Sequence, residues 1–235
     1  MSLLSTRGLS KHFAGLTAVN DVDFDLPEGQ IRALIGPNGA GKTTFVSMLC
    51  GRVELSSGVV MFEGRDISVL PAHKRIGLGL AYTFQITSVF GNLSVAENVA
   101  LAARRRVKGA MVAQVVTEAL GKVGLADRME QNAADLSYGH QRLLEIAMGL
   151  AQAPKLLILD EPTQGLADSE ISDFKALIRD LANSTTILLI EHNMNVVMEL
   201  ADFITVLDFG QVLAEGTPQD IRANAAVQAA YLGTV

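Results

Sequence analysis

The chain has 235 residues, of which 49% are hydrophobic, and it carries a formal net charge of −6 at pH 7. This length allows one large domain or two small ones, and the apolar content is sufficient for a sizeable core. The acidic balance argues against a protein that binds nucleic acid through bulk positive charge, so we expect no nucleic-acid partner.

Signals for targeting or redox chemistry are few. The N-terminal residues contain no long apolar run and no small-residue cleavage site, so we expect no secretory signal. No window approaches the roughly 18–20 apolar residues that a membrane span needs. Cys50 is the one cysteine, and we expect it to be a small buried residue on a helix, in a reducing compartment.

The N-terminal part alternates apolar and polar residues, which is typical of strands, up to a turn at residues 27–29. The segment Ile31–Ile35 predicts a buried strand that leads directly into a glycine-rich loop. A helix is predicted from about residue 42 to 50, and residues 56–64 predict a further turn and strand. The apolar members of the first pattern are Val19, Val22, Phe24 and Leu26.

The pattern is mostly helical from about residue 71 to 124. Ser94, with Glu97 three residues later, forms a capping-box pattern that marks a helix start. Residues 110–125 also have helical spacing. A basic cluster at residues 104–108 predicts a solvated helix end, with contact to a partner or to lipid headgroups as the alternative.

The C-terminal half alternates apolar segments with helical patterns. Short apolar strands joined by helical crossovers predict a mostly parallel sheet that is covered on both faces. The tail, residues 216–233, predicts a helical cap with Pro218 near its start. The predicted strands are residues 156–160, 185–191 and 203–208.

The sequence GPNGAGKT at residues 36–43 matches the pattern G-x-x-x-x-G-K-[ST] between a predicted strand and a predicted helix. Glycines allow the backbone N–H groups of such a loop to surround a phosphate chain. We expect Lys42 to reach the β- and γ-phosphates and the Thr43 hydroxyl to ligate Mg²⁺. The expected ATP contacts are Gly36, Pro37, Asn38, Gly39, Ala40, Gly41, Lys42, Thr43 and Thr44.

Two carboxylates end the strand LLILDE. Asp160 is placed for the Mg²⁺ shell, and Glu161, one residue further, is placed to polarise a water beyond the γ-phosphate. The alternative is that both carboxylates only interact with solvent in a loop. The phosphate-binding loop in the same chain favours the metal and water roles over this alternative.

Two further polar residues are candidates for the same site. His192 follows the strand TTILLIE, and parallel sheets bind ligands at the edge where their strands end, so it can contact the γ-phosphate or position the water. Gln85 lies between the nucleotide core and the helical part. For each residue the alternative is an ordinary structural or exposed side chain.

The segment LSYGHQRLLEIA begins at Leu136 with a pattern typical of a helix N-terminus. Free N–H groups at such an end attract anions. The segment itself contains no evident nucleophile, base or metal ligands. The residues therefore predict an anion site without identifying the anion.

These motifs, in this order, resemble the ATP-binding subunit of ABC transporters over nearly the whole chain. GPNGAGKTT resembles Walker A, Gln85 the Q-loop glutamine, LLILDE Walker B and His192 the switch histidine. LSYGH resembles the LSGGQ signature, formed here by Leu136, Ser137, Tyr138, Gly139 and His140. GLAD resembles the D-loop, formed here by Gly165, Leu166, Ala167 and Asp168.

The resemblance implies an α/β fold with a P-loop NTPase core and a mostly parallel sheet. It also implies an N-terminal antiparallel β subdomain and an inserted α-helical subdomain. The whole chain, residues 1–235, would be one ABC ATPase domain. Residues 1–85 and 154–235 would form the core with the β subdomain, and about 86–153 the helical part with the signature.

Family resemblance also implies a site shared by two subunits. Two ATPase subunits pack head to tail, and each ATP lies between Walker A of one and the signature of the other. Ser137 and Gly139 would then donate to the γ-phosphate bound by the partner. Tyr138 replaces the usual first glycine of the GG pair and His140 the usual glutamine, so an altered affinity or rate is expected.

Several single residues acquire expected roles from the same resemblance. Phe13 would stack on the adenine, with a buried core phenylalanine as the alternative, and Val19 would contact the nucleotide. Lys42, Gln85, Glu161 and His192 would act in hydrolysis. The Mg²⁺ ligands would be Thr43, Gln85 and Asp160.

Segments such as LLEIA, IEHNM and the tail resemble the ATPases of branched-chain amino acid importers and of their urea and short-amide relatives. The partners implied are a second ATPase, identical or different, two transmembrane permease subunits and, indirectly, a substrate-binding protein. The location implied is the cytoplasmic face of the inner membrane. The segment between Asn98 and Leu136 looks shorter than in many members of that branch.

Three other classes of protein share part of this motif pattern. A lipid or lipopolysaccharide export ATPase shares the core motifs. A non-transport ABC ATPase of DNA repair or the ribosome would carry long coiled-coil insertions or a second domain, and from this sequence we expect neither. A P-loop kinase or GTPase would lack the signature.

Residues 86–90 are expected either to border a groove for a membrane subunit or to pack in the interior.

Overall fold

The computed structural model describes residues 2–83 and 88–232, so Gln85 lies outside the described residues. In chain order the strands are β1 (Ser2–Phe13), β2 (Leu16–Pro27), β3 (Ile31–Ile35), β4 (Ser57–Phe62), β5 (Arg65–Asp66), β6 (Leu80–Thr83), β7 (Leu156–Asp160), β8 (Thr186–Ile190), β9 (Phe203–Asp208) and β10 (Gln211–Gly216). The α-helices are α1 (Lys42–Leu49), α2 (Ala72–Leu78), α3 (Val95–Ala103), α4 (Met111–Lys122), α5 (Tyr138–Leu150), α6 (Asp168–Ala182), α7 (Met194–Leu200), α8 (Pro218–Ala223) and α9 (Ala225–Leu232).

The larger sheet has the strand order β10-β9-β3-β8-β7-β6. All its neighbouring strands pair in parallel except the β9–β10 hairpin at one edge. The predicted mostly parallel sheet is therefore confirmed. A second, antiparallel sheet has the order β2-β1-β4-β5, which agrees with the expected N-terminal β layer.

The central strands β3, β7 and β8 are buried at every position and mostly apolar, because both faces of the sheet are covered. In β7, Leu156 and Ile158 pack toward α1 and the antiparallel sheet. The intervening Leu157 and Leu159 pack on the opposite side, against the helices that follow β6. The strand thus joins two cores and delivers Asp160 to the edge where the parallel strands end.

The helix that follows the glycine-rich loop is fixed at both ends. Gly41 precedes its first residue in a left-handed conformation with φ of 98°. At its other end, the buried Arg75 side chain donates to the carbonyl oxygens of Met48 and Leu49 at 2.7 Å each. Cys50 follows α1 directly and is buried as predicted, and burial raises the pKa of its thiol to about 12.

Helices α3, α4 and α5 form one layer in the segment between β6 and β7. The predicted capping box is confirmed, since Ser94 Oγ accepts from Glu97 N and Glu97 Oε2 accepts from Ser94 N. The basic cluster lies exposed just after α3, as predicted for a solvated helix end. The tail forms α8 and α9, with Thr217 as the N-cap and Pro218 in the first turn.

Strands β5, β6 and β10 were not predicted from the sequence. Residues 71–124 were expected to be mostly helical, yet Leu80–Thr83 forms β6 and pairs in parallel with β7. A four-residue edge strand has little periodicity of its own, and this one is specified by its partner 76 residues along the chain.

Candidate active site

The loop between β3 and α1 requires glycine at its two ends. Gly36 has φ of 157°, and a Cβ added there would stand 2.3 Å from the carbonyl oxygen of Leu207. A Cβ on Gly41 would stand 2.4 Å from the carbonyl oxygen of Ala18. Neighbouring backbone therefore holds the loop in a shape that only glycine permits at these positions.

Lys42 lies in the curve of this loop. Its Nζ donates to the carbonyl oxygen of Gly36 at 2.6 Å and to that of Pro37 at 3.1 Å. Burial lowers the pKa of the Lys42 ammonium, while the nearby charges of Glu161 and Asp160 raise it. The positive charge thus stands beside the first turn of α1, whose leading N–H groups lack intrahelical partners.

Asp160 ends β7 as a buried carboxylate. Tyr82 Oη, on the adjacent β6, donates to Asp160 Oδ2 at 2.6 Å and fixes the orientation of the group. Burial raises the pKa of Asp160, and the hydrogen bond from Tyr82 opposes that rise. The pKa of Tyr82 is itself raised by burial and by this bond, so the phenol stays a donor. Sequence reasoning missed Tyr82 because it did not identify β6.

Glu161 and His192 meet at the same edge of the sheet. Glu161 N donates to the carbonyl oxygen of Ile190 at 2.8 Å, which joins the ends of β7 and β8. The backbone of Glu161 is left-handed with φ of 47°, a strained conformation of the kind that functional sites retain. His192 Nδ1 lies 3.8 Å from Glu161 Oε2, so the imidazole and the carboxylate face one another.

The signature-like segment forms a capped helix end. Ser137 is the N-cap of α5, and its Oγ accepts from the backbone N–H of His140 at 3.3 Å. A second contact of 2.8 Å joins Ser137 Oγ to His140 Nδ1. The predicted helix N-terminus is confirmed. The side chain of His140, which replaces the usual glutamine, is hydrogen-bonded to the Ser137 hydroxyl.

The D-loop packs directly on this helix end. A Cβ added to Gly139 would stand 2.4 Å from Glu170 Oε1, in the first turn of α6. A Cβ on Gly165 would stand 3.1 Å from the Tyr138 ring, which also lies 5.4 Å from the Arg142 guanidinium. Tyr138 therefore fills space beside the D-loop within the same chain.

The two residues outside the glycine-rich loop that are expected to contact the nucleotide, Phe13 and Val19, differ in exposure. Phe13, at the end of β1, is 44% exposed with Lys11 Nζ 4.9 Å from its ring centroid, so the alternative of a core phenylalanine is wrong. Val19 is fully buried, and its Cγ2 would lie 3.5 Å from a Cβ on Gly41. Val19 therefore packs behind the loop. Nucleotide contact by either residue stays a prediction.

A buried ion pair links α5 to the chain that follows the undescribed residues 84–87. Glu145 Oε1 accepts from Ser88 N at 2.6 Å, and Glu145 Oε2 lies 3.1 Å from Arg142 Nη1. Sequence reasoning missed this pair. The charged residues at helical spacing within LSYGHQRLLEIA were the available signal, but the backbone partner lies 57 residues away.

Burial raises the pKa of Glu145, against the opposing effects of the Ser88 hydrogen bond and of Arg142. A carboxyl whose folded pKa is raised adds stability below its unfolded pKa of about 4.3 and loses it as the pH rises through the folded pKa. The free energy of unfolding of the wild type, minus that of Glu145→Gln, is therefore expected to fall from pH 4 to pH 8 in urea melts. The exposed Glu118→Gln corrects for the change in net charge, and a corrected difference that grows with pH would contradict this.

Comparison with known proteins identifies the architecture. A family model described as ABC transporter matches residues 19–164. The chain belongs to the ABC transporter family. A further model, described as branched-chain amino acid ATP-binding cassette transporter, matches residues 211–235 of this cassette. The family resemblance inferred from the motifs is thereby confirmed.

Individual relatives of the cassette span its whole length. It is 38% identical to the high-affinity branched-chain amino acid transport ATP-binding protein BraF of Pseudomonas aeruginosa, over 98% of each chain. It is 33% identical to the lipopolysaccharide export system ATP-binding protein LptB of Haemophilus influenzae, over 99% of this chain and 98% of that one. The ADP conformation of MJ1267, an ATP-binding cassette of an ABC transporter, matches with a TM-score of 0.90 at 26% identity over 99% of each chain.

As an ABC transporter cassette the protein binds nucleotide and hydrolyses ATP, which confirms the predicted enzyme class and excludes a P-loop kinase or GTPase. The fold class, an α/β P-loop NTPase core, is likewise confirmed. No helix within residues 2–83 and 88–232 is long and apolar enough to cross a membrane.

Proposed function

We propose that this cassette is the ATPase subunit of an importer of branched-chain amino acids or related polar small molecules. The observation that carries the proposal is the match of the C-terminal residues 211–235 to the branched-chain family model, because no step of nucleotide chemistry requires that tail. The greater identity to BraF than to LptB also favours import over lipopolysaccharide export.

The cassette would work at the cytoplasmic face of the inner membrane, held there by two permease subunits and served by a substrate-binding protein. Phe90 is 56% exposed beside the partly buried Val89, which supports a docking edge for a permease helix at this place. Coding neighbours test this assembly. A second ATPase, two multi-span proteins and a secreted binding protein would support it, and repair or ribosomal neighbours would contradict it.

The residues present fit a magnesium ion beside the phosphates. Thr43 lies in the first turn of α1. Asp160 ends strand β7, and the hydrogen bond from Tyr82 sets the orientation of its carboxylate. Both side chains offer the oxygen ligands that Mg²⁺ prefers, and Gln85 would be a third. The ion would offset the charge of the β- and γ-phosphates.

Hydrolysis would depend on groups that stand at the sheet edge. Glu161 would accept a proton from the attacking water, while His192, 3.8 Å from it, would orient that water or the γ-phosphate. Lys42 and the loop N–H groups would stabilise the charge spread over the transferred group. The proposed proton acceptor, Glu161, and the cation, Lys42, thus belong to different elements that meet at the same edge of the sheet.

The other half of each site would come from the signature of a second subunit, identical or different. The capped start of α5 offers N–H groups and the Ser137 hydroxyl to an anion. This would explain why the segment does not form a complete site of its own. Removal of the γ-phosphate would release Ser137 and Gly139, and the dimer would reopen.

Light scattering after gel filtration on Glu161→Gln, with Mg-free ATP at several protein concentrations, tests the composite site. We expect a monomer that becomes a dimer only when ATP is present, because hydrolysis can no longer release the partner. ADP in place of ATP is the matched control and should leave a monomer. A monomer that binds ATP yet never dimerises would contradict self-pairing of the isolated chain, and would indicate a different partner ATPase or a dimer that needs the membrane subunits.

A further inference from the structure

Glu191 is a buried carboxylate that the proposed chemistry does not use. It follows β8 directly, precedes His192, and is 0% exposed. Burying a carboxylate is costly unless hydrogen bonds replace its hydration. The contacts of its two oxygens therefore show what the residue holds.

Each carboxylate oxygen of Glu191 serves a different loop. Oε2 accepts from the backbone N–H groups of His192 and Asn193 at 2.9 Å each. Oε1 accepts from Thr163 N at 3.1 Å and from the Thr163 hydroxyl. One planar group thus binds four donors that belong to two loops, 28 residues apart in the chain.

These two loops carry the proposed reacting groups. Thr163 lies two residues after Glu161, and His192 adjoins Glu191 itself. The backbone bond from Glu161 N to Ile190 O joins the same two loops one step nearer the strands. The backbones that carry Glu161 and His192 are therefore held together both by the Glu191 carboxylate and by the bond from Glu161 N to Ile190 O.

We propose that Glu191 is a positioning residue for ATP hydrolysis, which holds the loop of Glu161 and the loop of His192 in one mutual arrangement. The inference rests on the proposed roles of those two residues. An apolar residue of similar size could fill the space at a lower cost of burial, but it could not bind both loops. Displacement of a reacting group by about 1 Å costs on the order of 100-fold in rate.

Glu191→Gln is the first test, because an amide has one acceptor oxygen and can no longer serve both loops. Steady-state kcat of the purified chain is expected to fall by on the order of 10- to 100-fold, with KM for ATP within about twofold of the wild type. Thermal melts confirm that the variant is folded. A folded Glu191→Gln variant with unchanged kcat would overturn the inference.

A double-mutant comparison separates positioning from general stability. Because part of the effect of Glu191 passes through the position of His192, Glu191→Gln should lower kcat by a clearly smaller factor in a His192→Ala background than in the wild type. Equal losses in both backgrounds would overturn the inference. A normal Glu191→Gln beside an impaired His192→Ala would overturn only the inference, whereas a normal His192→Ala would overturn the proposed role of His192 as well.

Thr163 supplies variants that keep the buried carboxylate, in case Glu191→Gln does not fold. Thr163→Val removes the hydroxyl donor to Glu191 at similar volume, and Thr163→Ser retains it. We expect Thr163→Val to lower kcat and Thr163→Ser to stay near the wild type. A Thr163→Val variant with wild-type kcat would overturn the inference as far as the Thr163 hydroxyl is concerned, because only the backbone N–H of Thr163 would then join Glu191 to the loop of Glu161.

Discussion

Replacing Glu161 by glutamine is expected to lower steady-state ATP turnover by on the order of 100-fold or more, while ATP binding persists. The substitution keeps the volume of the side chain and removes its negative charge and its capacity to accept a proton. Lys42 remains held by the carbonyl oxygens of Gly36 and Pro37, so the phosphate loop keeps its shape. Phosphate release measures turnover, and titration with a fluorescent ATP analogue measures binding.

Two further variants serve as controls for Glu161→Gln. Glu118→Gln makes the same chemical change on an exposed face of α4 and should turn over ATP like the wild type. Asp160→Asn alters the proposed metal ligand and should weaken Mg-dependent binding, which Glu161→Gln should spare. Unchanged turnover in Glu161→Gln would show that another group activates the water.

Replacing Ser137 by arginine is expected to abolish the ATP-dependent dimer and, with it, most turnover, while each isolated subunit still binds ATP. Ser137 is exposed at the start of α5, so the larger side chain projects outward into the surface proposed for the partner's ATP. Loss of the N-cap hydrogen bond costs only about 1 kcal/mol of stability, and the fold should survive. Light scattering in the Glu161→Gln background measures dimer formation.

Size and capping are separated by two controls. Ser137→Ala loses the cap without added bulk and should still dimerise, although more weakly. Ser184→Arg adds the same bulk at an exposed position two residues after the last residue of α6, and it should behave like the wild type. Normal hydrolysis by Ser137→Arg would mean that the start of α5 has no role across the dimer.

Sequence alone determined the elements whose signals are local. The glycine loop, β3 before it and α1 after it follow from short-range backbone requirements, and the structure shows the steric reason at Gly36 and Gly41. The apolar strands follow from burial on both faces. The capping box at Ser94 and the start of α5 follow from side chains that bond to backbone three residues away.

Tertiary structure decided what depends on distant partners. β6 exists through its pairing with β7, and that pairing brings Tyr82 to Asp160 across 78 residues. Glu145 reaches Ser88 across 57 residues, and Glu191 reaches Thr163 across 28. Local periodicity records which face of an element is buried, but not which polar group a buried carboxylate will meet. The sequence therefore determined the phosphate loop and the order of the motifs, and only the packed fold determined how the residues around them are held.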